Sequence, residues 1–134
     1  MNHQDTKTPS LEEVDGVAKQ IVDAAFKVHS SLGPGLLESV YEVCLAHELH
    51  RRGLSFDRQV SLPVEYEGLR LESGLRLDLL VADCVIVEIK AVEALLPVHK
   101  AQLLTYLKLS GHHIGLLINF NTPLIKDGIK RLAL

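Results

Sequence analysis

The chain has 134 residues, 47% of them hydrophobic, with 14 Lys and Arg against 17 Asp and Glu for a formal charge of −3. That length and apolar content suffice for one domain with a proper core, and the charge excludes nucleic-acid binding through the overall field, so phosphate contacts must come from a local patch or a bound cation. No run approaches the ~18 apolar residues of a membrane span, and Met1 to Lys7 is polar and unlike a signal peptide.

Residues 1–9 read as a disordered tail and 10–134 as a single domain. Ser10 with Glu13 forms a capping-box signature. Val14, Val17, Ala18, Ile21, Val22, Ala25 and Phe26 then recur at helical spacing. Gly33-Pro34-Gly35 breaks this helix. A second helix is expected from Leu36 to Arg52, ended by Gly53 with basic residues in its last turn. Phe56 to Tyr66 alternates as a half-exposed strand, and Pro63 favours an edge position or a bulge. After Glu67-Gly68 comes a short segment, Leu69 to Glu72. Two apolar strands follow, from Arg76 to Lys90, joined by a tight turn. A third helix spans Val98 to Ser110 and stops at Gly111. Ile114 to Phe120 is continuously apolar, as in a strand covered on both faces. Leu124 to Leu134 is ambiguous between helix and strand.

The two apolar strands carry charges that need an explanation. Asp78 lies in the first, and Glu88 and Lys90 share a face at the end of the second. Burying charges among Leu, Val and Ile is costly unless they are paired, hydrated or metal-bound. Two carboxylates converging beside an amine suit a hard divalent cation and a handled water, the chemistry of metal-assisted phosphodiester cleavage. Helices add further candidates: Glu38 and Tyr41 lie three apart on the second, and Gln102 and Tyr106 four apart on the third.

Gly35-Leu36-Leu37-Glu38-Ser39-Val40-Tyr41 matches the signature of the GxxExxY family. The chain resembles that family from about Val14 to Arg131, through Gln59-Val60, Asp78-Leu79-Leu80-Val81, Glu88-Ile89-Lys90-Ala91, Gln102 to Leu107 and Gly115 to Phe120. The family is similar to a small branch of the PD-(D/E)XK nuclease superfamily. The resemblance implies an α/β (α+β) fold, a three-layer restriction-endonuclease-like α-β-β-β-α-β core with a mixed central sheet. It implies Mg²⁺ or Mn²⁺ held by Asp78, Glu88 and the Ile89 carbonyl, with Glu38 as a further ligand. It also implies Lys90 as the lysine that handles the attacking water, supported by Gln102 and Tyr106. Leu77 stands where the superfamily name has proline.

Plainer readings stand beside these. Glu88 and Lys90 could form a surface ion pair, and Tyr41 could be a packing residue with a solvated hydroxyl. Cys44, His47 and His50 lie three apart, but no fourth zinc ligand accompanies them. Arg76, two before Asp78, is expected to share its face and contact substrate, with Lys100 as a second phosphate contact. With no Trp there is no aromatic ladder for stacking bases. The expected activity is divalent-metal-dependent hydrolysis of DNA, RNA not being ruled out, by a homodimer or partner complex with no membrane contact. Cys44 and Cys84 form no CxxC pair, which fits the cytoplasm. The alternative is a non-catalytic interaction module that keeps the nuclease fold.

Overall fold

The computed structural model describes residues 8–134. Of the tail expected at 1–9, residues 1–7 lie outside the described range. Helix α1 spans Leu11–Leu32 and opens with the expected capping box. Ser10 Oγ accepts from the Glu13 amide at 3.1 Å, and the Ser10 amide donates to Glu13 Oε1 at 2.8 Å. Its buried stripe is Ala18, Ile21, Ala24, Ala25 and Val28. Phe26, expected in that stripe, is exposed, because it lies one ~100° step round the helix from Ala25.

Helix α2 spans Glu38–Arg51, so Leu36 and Leu37 precede it. Strand β1, Phe56–Tyr66, pairs antiparallel with β2, Leu69–Val81. The segment expected to stand apart at Leu69 to Glu72 is therefore the first part of one long strand. Its continuity is hidden by an irregularity: Leu62 pairs with Leu75 but Val64 with Leu71, which leaves three residues of β2 against Pro63. Both expectations for Pro63 hold, since it sits at this bulge and β1 is an edge strand. Gly74 is required there, because a Cβ at that position would overlap the side chain of Val64.

Ala82, Asp83 and Cys84 form the three-residue turn into β3, Val85–Lys90, with φ of 51° and 54° at Ala82 and Asp83. Two positive φ values suit the right-handed twist of a hairpin. Helix α3, Pro97–Ser110, ends at Gly111 in the left-handed conformation. Strand β4, Ile114–Asn119, is buried throughout. The ambiguous C-terminal segment is a 3₁₀ turn, Ile125–Gly128, followed by strand β5, Ile129–Ala133.

The sheet runs β1-β2-β3-β4-β5, antiparallel except for β3 and β4, which α3 connects in parallel. Helices α1 and α2 cover one face, burying Ile21, Leu45 and Leu49 against Leu79, Val87 and Ile118. Helix α3 covers the other with Leu103 and Leu107 against Leu80, Ile86 and Leu117. This is the three-layer arrangement with a mixed sheet that the sequence led one to expect. No helix among the described residues is long and apolar enough to cross a membrane.

Candidate active site

The β2–β3 ladder pairs Val81 with Val85, Leu80 with Ile86 and Leu79 with Val87. One step further the two acidic residues face each other, and side chains take over from the ladder. The Asp78 amide donates to Glu88 Oε2 at 2.9 Å, and the Ile89 amide donates to Asp78 Oδ2 at 2.8 Å. Each carboxylate thus satisfies a backbone N–H on the opposite strand, which fixes both at the point where the strands part.

A cleft of about 490 Å³ opens there. Asp78, Glu88 and Lys90 line it from the sheet, Arg76 from β2, and Gln102 and Tyr106 from α3. Gln102 and Tyr106 both line the cleft, as their four-residue spacing on one face of α3 requires. Glu38 sits in the first turn of α2 at the edge of this group, close enough to feel Lys90 and Asp78.

Electrostatics in the cleft run against negative charge. Burial, then the neighbouring Asp78 charge, pushes the Glu88 carboxyl up to about 8, against the opposing pull of the Asp78 amide and Lys90. Asp78 is also raised, chiefly by burial, with the Ile89 amide pulling the other way. Glu38 is raised by burial as well, partly offset by Lys90. Burial raises the Tyr106 hydroxyl, and Glu88 and Asp78 raise it further. Two carboxylates crowded in a low-dielectric cleft lack sufficient counter-charge.

Hard oxygen donors short of positive charge fit Mg²⁺ or Mn²⁺. Asp78 and Glu88 would hold such a cation, with Glu38 nearby. Among the described residues, no three His, Cys, Asp or Glu side chains are already drawn together as a complete ligand set. The fit therefore rests on two carboxylates, with other positions open to water or phosphate.

Two expectations need correcting. Lys100 is exposed and is not among the residues lining the cleft. It lies two residues before Gln102, about 160° round α3, so one helix cannot present both to the same side. Arg76 does line the cleft, but strand alternation does not put it there. Leu75 and Leu77 pack on the α3 side, whereas Leu79 and Val81 pack on the α1/α2 side. Residues two apart have therefore changed face, and the strict period of two is interrupted at Asp78.

The same switch occurs in β1, where Phe56 packs towards α1 and α2 but Val60 towards α3. Gln59, which falls opposite Asp78 in the register, has φ of 52°. Its side chain reaches Glu42 of α2, which is buried. Neither Gln59 nor Glu42 emerged as a site residue from sequence reasoning. Glu38 and Glu42 stand four apart on one helix face, and that spacing was the available signal.

Tyr41 is fully buried and stacks on Phe120 with ring centroids 4.6 Å apart. Its hydroxyl is not solvated: it donates to the Gly33 carbonyl at 2.6 Å and accepts from the Leu36 amide at 3.1 Å. Tyr41 therefore ties down the loop that delivers Glu38, with no direct place in the cleft. Cys44 and Cys84 are free thiols.

A family model of the PD-(D/E)XK nuclease superfamily matches residues 15–132. No curated protein and no solved structure matches the chain.

Proposed function

Since this chain belongs to the PD-(D/E)XK nuclease superfamily, we propose that it is a nuclease of the GxxExxY branch, hydrolysing phosphodiester bonds in DNA with Mg²⁺ or Mn²⁺. The observation that carries this reading is the reciprocal clasp of Asp78 and Glu88 at the mouth of a cleft that Lys90 also lines. Such a pair would hold a divalent cation, and Glu38 and the Ile89 carbonyl are the further ligands this reading assigns. A cation there supplies Lewis acidity and neutralises charge on the reacting phosphate.

Lys90 orients the attacking water and offsets charge developing on the phosphoryl oxygens. Gln102 and Tyr106 support Lys90 from α3 and bound the cleft on the substrate side. Arg76 offers a guanidinium to a neighbouring phosphate, where its fork geometry suits two oxygens. Exposed Leu36, Leu37, Val40 and Val43 near the start of α2 support a homodimer or a partner complex. The free thiols are consistent with a cytoplasmic setting.

The deciding test is incubation with Mn²⁺ and then Mg²⁺ on linear duplex, single-stranded and circular DNA and on RNA, with Lys90→Ala alongside. Cation-dependent cutting that Lys90→Ala lacks is the expected result. Equal cutting by that variant would remove Lys90 from the mechanism. A protein that neither cuts nor gains thermal stability with Mn²⁺ would instead be a non-catalytic module. The two-carboxylate set is the observation that keeps this second reading in play.

A further inference from the structure

The kink in β1 places two consecutive side chains on one carboxylate. Arg58 Nε donates to Glu42 Oε2 at 3.1 Å, and Gln59 Nε2 lies 2.9 Å from Glu42 Oε1 and 3.1 Å from Oε2. In a regular strand neighbours point to opposite faces, so residues 58 and 59 could not share a partner. The left-handed backbone at Gln59, φ 52°, rotates it onto the same side as Arg58. Long side chains rarely adopt that conformation, and its retention here marks a local demand. Because an ionised carboxylate only accepts, the nitrogen of the Gln59 amide must face Glu42.

That nitrogen carries two hydrogens, and Gln59 stands opposite Asp78 across the β1–β2 register and lines the same cleft. We propose that Gln59 is a positioning residue, its amide bridging the Glu42 and Asp78 carboxylates so that α2 sets where Asp78 stands. Asp78 is then held from two directions, by the Ile89 amide of β3 and by the Gln59 amide of β1. Glu42 is itself fixed by burial and by Arg58, whose Nη2 lies 3.1 Å from Oε2. The bridge links the helical layer that carries Glu38 to the strand that carries Asp78. This goes beyond the proposed nuclease activity and rests on it only for the metal measurement below.

Two substitutions separate the amide from the backbone. Gln59→Gly removes the amide and relieves the left-handed conformation, so the chain folds without strain at this point. Gln59→Met keeps length and bulk but has no hydrogen to donate. The first readout needs no metal: exchange of the Ile89 amide proton in chelator, with the Phe120 amide, bonded to the Lys90 carbonyl at 3.0 Å, as control. Both variants should speed Ile89 exchange by about tenfold or more while Phe120 keeps its rate. The second readout is Mn²⁺ affinity from thermal shift, expected to fall about 10- to 100-fold as for other groups that orient a ligand.

Unchanged Ile89 exchange in both variants overturns the proposal. So does a rise in Gln59→Gly alone, which would assign the effect to backbone freedom. A rise in both, from a wild-type protein that binds no Mn²⁺, upholds the bridge and refutes the metal reading instead.

Discussion

Glu88→Gln should stabilise the metal-free protein, and by an amount that depends on pH. The carboxyl of Glu88 is raised from 4.5 to about 8 in the fold, first by burial and then by Asp78. Between those values the native state keeps a proton that the unfolded chain releases. The stabilising contribution is complete below pH 4.5 and is lost as pH rises through 8, at up to about 1.4 kcal/mol per unit. At pH 7 the accumulated loss is about 3 kcal/mol, roughly 10 °C in melting temperature for a domain of this size. Glutamine cannot ionise, and its carbonyl can still accept from the Asp78 amide. In chelator, the two proteins should unfold alike near pH 4.5 and diverge steadily towards pH 8, with the variant the more stable. Asp78 and Glu88 titrate as a pair, so the difference between the two proteins is the quantity to follow, not either slope alone. Thermal unfolding at half-unit pH steps in EDTA makes the measurement. Parallel curves for wild type and variant would refute the reasoning, since ionised Glu88 would then cost the fold nothing. Added Mn²⁺ should close the gap by stabilising wild type alone, through mass action on a site the variant has lost.

Other perturbations test the scaffold around the cleft. Tyr41→Phe keeps the stack on Phe120 but strands the Gly33 carbonyl and the Leu36 amide. We expect a loss of about 1–3 kcal/mol in urea unfolding, and an effect within error would mean that water replaces the hydroxyl. Gly128→Ala drives a Cβ into the Asn119 carbonyl oxygen. Asn119 in turn clamps Val92, accepting from its amide at 3.0 Å and donating to its carbonyl at 2.9 Å. A backbone contact yields poorly, so a cost of about 1–3 kcal/mol is expected, with Val92 amide exchange accelerated beyond the global change. Ordinary stability for Gly128→Ala would show that the 3₁₀ turn moves freely. Leu103→Ala opens the α3 side of the core, where Leu103 is fully buried. It should lose about 2–5 kcal/mol by calorimetry, and a smaller loss would mean that α3 collapses onto the sheet.

Features governed by near neighbours could be read directly from the chain. The Ser10–Glu13 box, the Gly33-Pro34-Gly35 break and the Gly111 stop act within one helical turn, so composition and spacing suffice to place them. Asp78, Glu88 and Lys90 were legible for a different reason: charge within apolar strands is costly enough to require a function. Gln102 and Tyr106 followed from helical spacing. Apart from Phe26, misplaced on its own helix, the places where reading failed involve geometry between distant segments. Counting by twos assumes that a strand keeps its faces, and β1 and β2 exchange theirs at Gln59 and Asp78. That exchange turns Gln59 towards Glu42, and no local pattern in the strand announces it. Likewise Leu69 to Glu72 reads as a fragment until Val64 pairs with Leu71 across the bulge. Strand β5 is short and becomes a strand by pairing with β4, an edge supplied by the rest of the fold. Lys100 lost its expected role because a helix offers the cleft one side only, and packing of Leu103 and Leu107 chose which. Sequence alone determined the helices, most of the strands and the charged pair, since these follow from local energetics. Tertiary structure alone decided which groups stand beside that pair, since strand twist and helix rotation are set by packing across the whole core.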